Sequence, residues 1–535
     1  MRHTSPRSKL AELLEPVPLI SRCSSRLPVL WIACCLLIRI AAVHAAEAPV
    51  DARPNVDARP NIVLIVADDL GWADVSLHGT QIKTPHIDSI AQTGAELERF
   101  YVCPVCSPTR AGLMTGRYPI RYGLMRAVVP PWRKGGLDPS ETTLANLLER
   151  AGYRNRGAFG KWHLGHSARK YHPLRRGFTE FVGHYNGAID YFTHHREGQL
   201  DWHRNYETNR DTGYSTDLVA RAAADFIRRC ARQPQQPFFC YVPFNAPHGP
   251  LQAKPQELAT YRHLKNAVTP GKPPFNKARA RQSKTTYGSQ GRGVSRRQTL
   301  AAMIASLDAG VGQILQTIEQ AGLSDNTLIW FLSDNGGVRP GDNRPLRGAK
   351  ASVFEGGIRV VAAVRWPGQI RAGSKVNAPL AYIDVLPTLM RVVGLTDQSA
   401  KPLDGRDAWD IITGTKRHWN RDLYSYIGQQ GEHAEHIALT EPRWKLVING
   451  LNILKTEPAD RERLLFDLAQ DPYEKHDLAK QHPDVVARMT AKLQTFRRLQ
   501  PANAVSAYSQ HKAGFQAPQD WLIPEDNPPQ TNPQP

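Results

Sequence analysis

A run of six consecutive apolar residues, Ile62 to Ala67, ends in two adjacent carboxylates, Asp68 and Asp69. An uninterrupted apolar run of this length predicts a β-strand that is buried on both faces, as in parallel sheets covered by helices. Comparable runs lie at residues 238–242, 328–332 and 360–364. This feature constrains the fold strongly, because a sheet with both faces buried needs helices on each side.

Helical patterns separate these predicted strands. The clearest places apolar residues three and four positions apart from Leu300 to Ile318, with Ser295 as the predicted N-cap and Gly322 as the predicted stop. Further helices are predicted at residues 142–152 and 216–230. The alternation predicts an α/β domain over residues 60–419, built on a large mixed, mostly parallel sheet that is sandwiched by helices.

The pattern changes after about residue 420. Short strands are predicted at 444–448 and 463–467, and a last helix at 483–499. We interpret residues 420–505 as a smaller C-terminal subdomain with an antiparallel sheet. Residues 506–535 form a tail that is rich in Pro, Gln and Asn from about Pro518, which predicts disorder.

Residues 1–45 have the features of a secretory signal peptide. Basic residues precede an apolar run at 29–38, and the Val-His-Ala sequence at 43–45 fits a cleavage site. A retained membrane anchor is the alternative, but Arg39 interrupts the apolar part and the run is too short to span a bilayer. Residues 46–59 then form a linker. The protein is therefore predicted to be exported, periplasmic or secreted, with no stable membrane insertion.

The 535-residue chain carries 68 Lys and Arg against 49 Asp and Glu, a formal net charge of +19. This balance attracts anions, but no nucleic-acid-binding motif supports a nucleic-acid partner. Basic residues are dense in 254–297, where 11 Lys and Arg accompany one acid, Glu257. We predict a surface insertion there, either a solvated loop or a contact for an acidic substrate. Seven cysteines are too few for a disulfide framework, and spacing does not decide whether Cys230 and Cys240 pair.

Oxygen-bearing side chains follow two of the predicted buried strands. Asp68 and Asp69 follow the first, and Asp334 and Asn335 follow the strand at 328–332. If these strands are neighbours, the four side chains form an all-oxygen site at one edge of the sheet. Such ligands suit Ca²⁺ or Mg²⁺ rather than zinc or copper.

The segment Cys106-Ser-Pro-Thr-Arg110 is followed by Ala-Gly-Leu-Met-Thr-Gly-Arg117. This segment resembles the signature of the type I sulfatases. In that family the cysteine is oxidised after translation to formylglycine by dedicated formylglycine-generating machinery, and the hydrated aldehyde is the nucleophile. The resemblance implies an alkaline-phosphatase-like fold, one divalent ion per subunit, expected to be Ca²⁺ with Mg²⁺ as the alternative, and Cys106 as a further metal ligand.

Further segments resemble later motifs of the family, and together the matches cover roughly residues 60–480. They lie at 160–165 (Gly-Lys-Trp-His-Leu-Gly), 246–248 (Ala-Pro-His), 346–350 (Leu-Arg-Gly-Ala-Lys), 354–359 (Phe-Glu-Gly-Gly-Ile-Arg), 384–388 and 465–474. Residues 183–202 look most like the arylsulfatase B, or N-acetylgalactosamine 4-sulfatase, branch. Ala349 departs from the usual glycine, and the basic insertion is longer than the usual connection.

The resemblance implies a role for each matching residue. Lys161, His248, Lys350 and the metal would supply positive charge to the nonbridging oxygens of a sulfate ester. Arg110 would hold the modified residue 106, and Lys350 or His248 would protonate the leaving oxygen. His163 would act as the base that helps to release sulfate. The expected substrates are aryl sulfates and sulfated glycans.

Two other functions stay open at this point. A related phosphodiesterase or phosphonate hydrolase can share both the formylglycine and the fold, although residues 161–202 look like an arylsulfatase. A catalytically dead, exported protein that binds polyanions is the second. Intact Cys106 and Arg110, with both pairs of metal ligands, argue against it.

Overall fold

A ten-stranded sheet forms the centre of the described part of the protein. The computed structural model describes residues 59–265, 287–396, 399–417, 419–455 and 461–524. In spatial order the strands are β14 (Ser374–Val376), β2 (Ala95–Leu97), β13 (Ala362–Arg365), β11 (Thr327–Ser333), β1 (Asn61–Ala67), β10 (Phe238–Pro243), β4 (Asn155–Lys161), β5 (Glu180–His184), β8 (His203–Arg204) and β9 (Glu207–Thr208). The five strands from β11 to β5 are mutually parallel, and antiparallel pairs flank them on both sides. The predicted mixed, mostly parallel sheet is confirmed.

Helices cover both faces of this sheet. In chain order, the α-helices of the described ranges are α1 (Pro85–Gln92), α2 (Cys106–Thr115), α3 (Leu144–Arg150), α4 (Ser215–Ala231), α5 (Pro255–Thr260), α6 (Arg296–Gln320), α7 (Glu355–Ile358), α8 (Val385–Val392), α9 (Trp409–Ile412) and α10 (Pro483–Arg497). Alternate residues of β1 enter different cores, Ile62 and Leu64 on one side and Val63 and Ile65 on the other. This is why the run is apolar without a break.

The apolar run at 360–364 forms no parallel strand. The chain divides it between β12 (Arg359–Val360), which belongs to a small sheet, and β13, which pairs antiparallel with β11. An apolar run shows that a strand is buried on both faces, but it does not encode the direction of the strand.

Three smaller sheets accompany the central one. A three-stranded sheet contains β12, β3 (Phe100–Tyr101) and β15 (Leu380–Ala381), and a hairpin joins β6 (His195–Arg196) to β7 (Gln199–Leu200). The C-terminal sheet is an antiparallel meander of β16 (Leu423–Ile427), β17 (Glu435–Thr440), β18 (Trp444–Gly450) and β19 (Arg461–Asp467). The predicted smaller antiparallel sheet is thus present, and α10 contacts it.

Residues 506–524, predicted to be part of a disordered tail, follow a defined course. Trp521 is buried, and its indole nitrogen donates to the carbonyl oxygen of Arg196 at 2.9 Å. Phe515 and Tyr508 pack on Trp132. Composition misled the prediction here because three aromatic side chains are enough to anchor a segment that is otherwise polar.

Several predicted segments lie wholly or largely outside the described residues. They are the signal peptide (1–45), all but the last residue of the linker (46–59), the centre of the basic insertion (266–286) and the end of the tail (525–535). Within the described ranges, Cys103, Cys106, Cys230 and Cys240 are all unpaired. One described helix, α6, is long and apolar enough to cross a bilayer, but 72% of its most apolar stretch is buried in the protein, as in a core helix.

Candidate active site

Strands β1 and β11 bring the two predicted pairs of oxygen ligands together. Ala67 pairs in register with Ser333, so Asp68 and Asp334 leave adjacent parallel strands at the same edge of the sheet. The backbone amide of Asp334 donates to the carbonyl oxygen of Ala67 at 2.9 Å, which prolongs the ladder to this edge. The condition set from the sequence, that these strands are neighbours, is met.

Cys106 is the first residue of α2, and its side chain is almost completely buried. The N-terminus of a helix favours negative charge, so this position suits an anionic substrate or a deprotonated nucleophile. The sulfur lies 3.4 Å from Nδ1 of His163. On its other side Cys106 belongs to an apolar cluster with Val353, Val447 and Phe466. Burial raises the pKa of the thiol.

Arg110 lies one helical turn after Cys106 and is fully buried. Its Nε and one terminal nitrogen donate to the same oxygen of Asp334 at 2.9 and 2.8 Å. The other terminal nitrogen donates to the carbonyl oxygen of Lys161 at 2.9 Å. The guanidinium therefore ties the nucleophile helix to β11 and β4. Burial, followed by repulsion from Asp68, raises the pKa of Asp334 to about 6.

Two lysines approach the carboxylates that follow β1, one from the end of β4 and the other from a loop. The ammonium of Lys161, the last residue of β4, lies 2.5 Å from Oδ2 of Asp68, and that of Lys350 lies 2.5 Å from Oδ1 of Asp69. Burial alone would raise the pKa of Asp69, but Lys350 and His248 hold it below its usual value. Gly160 has φ +125°, and a Cβ there would collide with the carbonyl oxygen of Pro243, so glycine is required to place Lys161.

Hydrogen bonds to carbonyl oxygens define the tautomers of both histidines. Nε2 of His163 lies 2.9 Å from the carbonyl oxygen of Val129, which can only accept, so Nδ1 turns its lone pair towards Cys106. Nδ1 of His248 donates to the carbonyl oxygen of Gly249 at 2.6 Å, so Nε2 faces Asp69 at 3.7 Å. Burial lowers the pKa of His163 well below its usual value and that of His248 to about 3, and both are neutral.

The residues at this edge fit a hard divalent cation. Oδ1 of Asp68 and Oδ1 of Asn335 are buried and accept no hydrogen bond from the described protein. Burying such oxygen atoms costs free energy unless a hydrogen-bond donor or a cation lies beside them. Possible ligand atoms of Asp68, Cys106 and Asp334 lie within 4.8 Å of one another, as do those of Asp68, Asp69 and His248. Mutual repulsion of the carboxylates, visible in the raised pKa of Asp334, gives a cation a further reason to bind.

All of the residues singled out from the sequence converge on this edge. They are Asp68, Asp69, Cys106, Arg110, Lys161, His163, His248, Asp334, Asn335 and Lys350. Sequence reasoning missed a second buried charge cluster, which is formed by Glu355, Lys445 and Glu474. A signal existed in Lys445, a charged residue inside the apolar strand segment Trp444–Ile448.

A carboxylate-rich edge beside a thiol at a helix N-terminus suits a metal-dependent enzyme that acts on an anionic substrate. A family model described as Sulfatase matches residues 60–395, and one described as N-sulphoglucosamine sulphohydrolase, C-terminal, matches residues 349–499. Arylsulfatase J of Mus musculus is 30% identical over 502 residues, covering 84% of this chain and 79% of that protein. N-acetylgalactosamine-6-sulfatase of Mus musculus is 29% identical over 537 residues, covering 91% of this chain and 94% of that protein.

Solved structures agree with these relatives. The crystal structure of Ps i-CgsB is 30% identical, with a TM-score of 0.72, and the match covers 84% of this chain and 95% of that one. The same protein in complex with k-i-k-neocarrahexaose gives a TM-score of 0.70 at 30% identity, covering 83% and 94%. The fold match confirms the expected alkaline-phosphatase-like architecture.

The chain belongs to the sulfatase family and is a sulfuric ester hydrolase. Membership implies a divalent metal and a formylglycine formed from the motif cysteine. The relatives carry two different names, so the resemblance of residues 183–202 to the arylsulfatase B branch stays a prediction.

Proposed function

We propose that this sulfatase removes sulfate from sulfated glycans, with formylglycine at position 106 and one Ca²⁺ ion. The observation that carries the proposal is the meeting of Cys106 with three carboxylates and two ammonium groups at one buried edge of the sheet. The glycan substrate is further supported by relatives named for an amino-sugar sulfate and by the oligosaccharide complex of a similar protein.

Asp68, Asp69, Asp334, Asn335 and residue 106 would hold the metal. Their oxygen atoms suit calcium, which accepts many oxygen ligands in irregular geometry. Magnesium suits the site less well, because it usually keeps several waters and binds few protein carboxylates. Elemental analysis of the purified protein would decide between the two ions.

The protein's own side chains divide the remaining work. When present, the metal and the formylglycine hydrate supply charge stabilisation and the nucleophile. Lys161 and Lys350 bind the nonbridging and leaving oxygens of the ester. Arg110 holds residue 106 against Asp334. The free Nδ1 of His163, 3.4 Å from Sγ, takes a proton from the oxygen that replaces this sulfur.

Lys350 is the better candidate for protonating the leaving oxygen. Against the effect of burial, the carboxylate of Asp69 raises the pKa of Lys350, so its ammonium stays protonated. The oxygen of an expelled sugar alcohol is a strong base and can take one of these protons. His248 already uses its Nδ1 proton on Gly249, and its Nε2 is an acceptor. His248 therefore receives a hydrogen bond or contacts the ester, while Lys350 donates.

We also propose the route by which the enzyme matures. Residues 1–45 direct export to the periplasm or the exterior, and formylglycine-generating machinery converts Cys106. The catalytic domain spans residues 60–419 and the C-terminal subdomain spans 420–505. N-terminal sequencing of the exported protein would test cleavage before Ala46.

A substrate panel tests the function. Full-length protein, with formylglycine at position 106 verified by mass spectrometry, is assayed with Ca²⁺ on a nitrophenyl sulfate, N-acetylgalactosamine 4- and 6-sulfates and sulfated galactan oligosaccharides. Matched nitrophenyl phosphate and phosphonate esters are the controls. We expect sulfate release from at least one sugar sulfate. Faster cleavage of the phosphorus esters would overturn the proposal.

A further inference from the structure

A buried ion triad lies behind the loop that carries Lys350. The ammonium of Lys445, on β18, is 2.9 Å from Glu355 and 2.8 Å from Glu474, and all three side chains are at most 1% exposed. Tyr101 donates to the second oxygen of Glu355 at 3.0 Å. Among the described residues, none of the three charged groups hydrogen-bonds or pairs with a residue of the catalytic edge, and no step of the proposed chemistry uses them.

The triad is bonded directly to the Lys350 loop, residues 346–357. Glu474 accepts a hydrogen bond from the backbone amide of Glu355 at 2.8 Å, and its carbonyl oxygen accepts one from Arg347 at 2.8 Å. The Arg347 guanidinium stacks 4.2 Å from the ring centroid of Phe354. Both ends of the loop are thereby attached to one residue of the C-terminal sheet region.

Within the loop, the segment after Glu355 supports the segment that carries the lysine. A Cβ on Gly357 would lie 2.6 Å from the carbonyl oxygen of Ala349, so these backbones touch. The amide of Gly356 donates to the carbonyl oxygen of Arg347 at 2.6 Å, and that of Gly336 donates to Gly357 at 3.1 Å. Moving Glu355 would therefore displace the backbone at Lys350 and at Gly336, next to Asn335.

Stability alone gives a weak reason for such a triad. Replacing a buried ion cluster by apolar residues of similar volume is often neutral or stabilising, because desolvation offsets the attraction. An ion triad does fix the relative position of the three segments that contribute to it, since each charge needs its partner at a set distance. Here those segments are the Lys350 loop, β18 and the turn after β19.

We infer that Lys445 and Glu474 are positioning residues that hold Lys350 in place for protonation of the leaving oxygen. The inference rests on the proposed role of Lys350. It assigns a role to Lys445, inside a predicted strand, and to the acid that ends the family motif at 465–474.

The test uses Glu474→Gln, which keeps the shape and an acceptor for the Glu355 amide, and Lys445→Met as a second variant. Glu435→Gln is the matched control, because Glu435 pairs with Arg497 at 2.7 Å in the same sheet, equally buried and away from the loop. We expect Glu474→Gln to lower kcat on a sugar sulfate about 10-fold or more with little change in KM, since small misplacements are costly. The loss on a nitrophenyl sulfate should be less than about 2-fold, because its leaving group needs little protonation.

A double-mutant cycle sharpens the result. In a Lys350→Ala background, Glu474→Gln should have no further effect on the sugar sulfate, whereas Glu435→Gln should act independently. Additive effects of Glu474→Gln and Lys350→Ala, or equal losses on both substrates, would overturn the inference. Each variant is assayed well below its own melting temperature, so loss of folded protein does not enter.

Hydrogen exchange of the peptide covering 346–357 separates this inference from the proposed function. Exchange should be faster in Glu474→Gln and unchanged in Glu435→Gln. If exchange is unchanged in Glu474→Gln, the triad does not position the loop. If exchange changes but Lys350→Ala itself shows no preference among leaving groups, the proposed role of Lys350 fails instead.

Discussion

Two clusters of buried charge contrast within this protein. In the triad, the ammonium of Lys445 lies between two carboxylates, within 2.9 Å of each. At the catalytic edge, Lys161 and Lys350 also pair with carboxylates, yet Oδ1 of Asp68 has neither a hydrogen bond nor an ion pair with the described residues. Oε1 of Glu474 in the triad also accepts no hydrogen bond, but it lies 2.8 Å from the ammonium of Lys445. Burial raises the pKa of Asp334 to about 6 and also raises that of Glu474, so the unpaired oxygen of Asp68 is what distinguishes the two clusters.

The contrast separates two uses of the same residue types. A cluster in which a lysine ammonium neutralises the carboxylates fixes the positions of the segments that carry them. A cluster that keeps bare carboxylate oxygens is prepared for a cation or a substrate. The contrast predicts that substitutions at the catalytic edge remove activity with little loss of stability. Substitutions in the triad should lower stability and should reduce activity only through the position of Lys350.

The largest expected effect is at Cys106. Cys106→Ala should abolish turnover, because no nucleophile remains. Cys106→Ser keeps one hydroxyl but lacks the second hydroxyl of a hydrate, which is needed to expel sulfate. It should release at most one equivalent of product per site and accumulate a sulfate ester at position 106, measured by intact mass. Sustained turnover by homogeneous, unconverted Cys106→Ser protein would contradict a formylglycine mechanism.

The second prediction compares the two clusters directly. Asp334→Asn should lower kcat/KM by at least about 10²–10³-fold and reduce bound metal, because it removes a ligand and a charge. Glu355→Gln should instead lower the free energy of unfolding by about 3–5 kcal/mol, because Lys445 loses a buried partner, and should keep the metal.

Activity, metal content and denaturant unfolding of both variants check this pair. If Asp334→Asn kept its metal and its activity, Asp334 would not be a ligand of the metal site. If Glu355→Gln unfolded like the wild type, the triad would not be a fixed element of the fold.

The third prediction concerns Lys350. Lys350→Ala should cost about 10²-fold in kcat/KM on an alkyl or sugar sulfate and clearly less on a nitrophenyl sulfate. The reason is that a good leaving group departs with little protonation. Parallel kinetics on the two substrates measure the difference. Equal losses would mean that Lys350 only binds the sulfate group.

The smallest expected effect is a dependence of stability on pH in metal-free protein. The pKa of Asp334 is raised from 3.8 to about 6 in the folded state, so this group favours folding most below about pH 4. That contribution is lost as the pH rises through about 6. After chelation, the melting temperature should fall by about 2–5 °C between pH 4 and 6.5. Metal-free Asp334→Asn is the control and should lack this fall, and a fall of equal size in the variant would assign it to other groups.

Much of the sheet could be predicted from local pattern. The runs at 62–67, 238–242 and 328–332 became β1, β10 and β11 because a parallel strand buried on both faces tolerates only apolar residues. The stripe from Leu300 to Ile318 became α6, with Ser295 capping Gln298 at 3.0 Å. In these elements the local signal and the tertiary environment agree.

The rest depended on contacts distant in sequence. Strand β4 contains the polar residues Asn155, Arg156 and Lys161 and two glycines, so its composition hides a central strand that lies between β10 and β5. The four oxygen ligands were found at the ends of buried strands and the other site residues through the family motifs, but the ion pairs were not predicted. No spacing rule links Lys161 to Asp68 or Lys350 to Asp69, since the first contact follows from strand order and the second from the course of the loop that carries Lys350.

The burial of Cys106 also sets a schedule for its conversion. The apolar cluster that covers this side chain includes Phe466 of β19, which is made 360 residues after Cys106. At a synthesis rate of about 5–20 residues per second, the thiol remains uncovered for roughly 20–70 s on the growing chain. If dedicated machinery converts Cys106, we expect it to act within that interval or on a chain kept unfolded, because the folded protein buries the thiol.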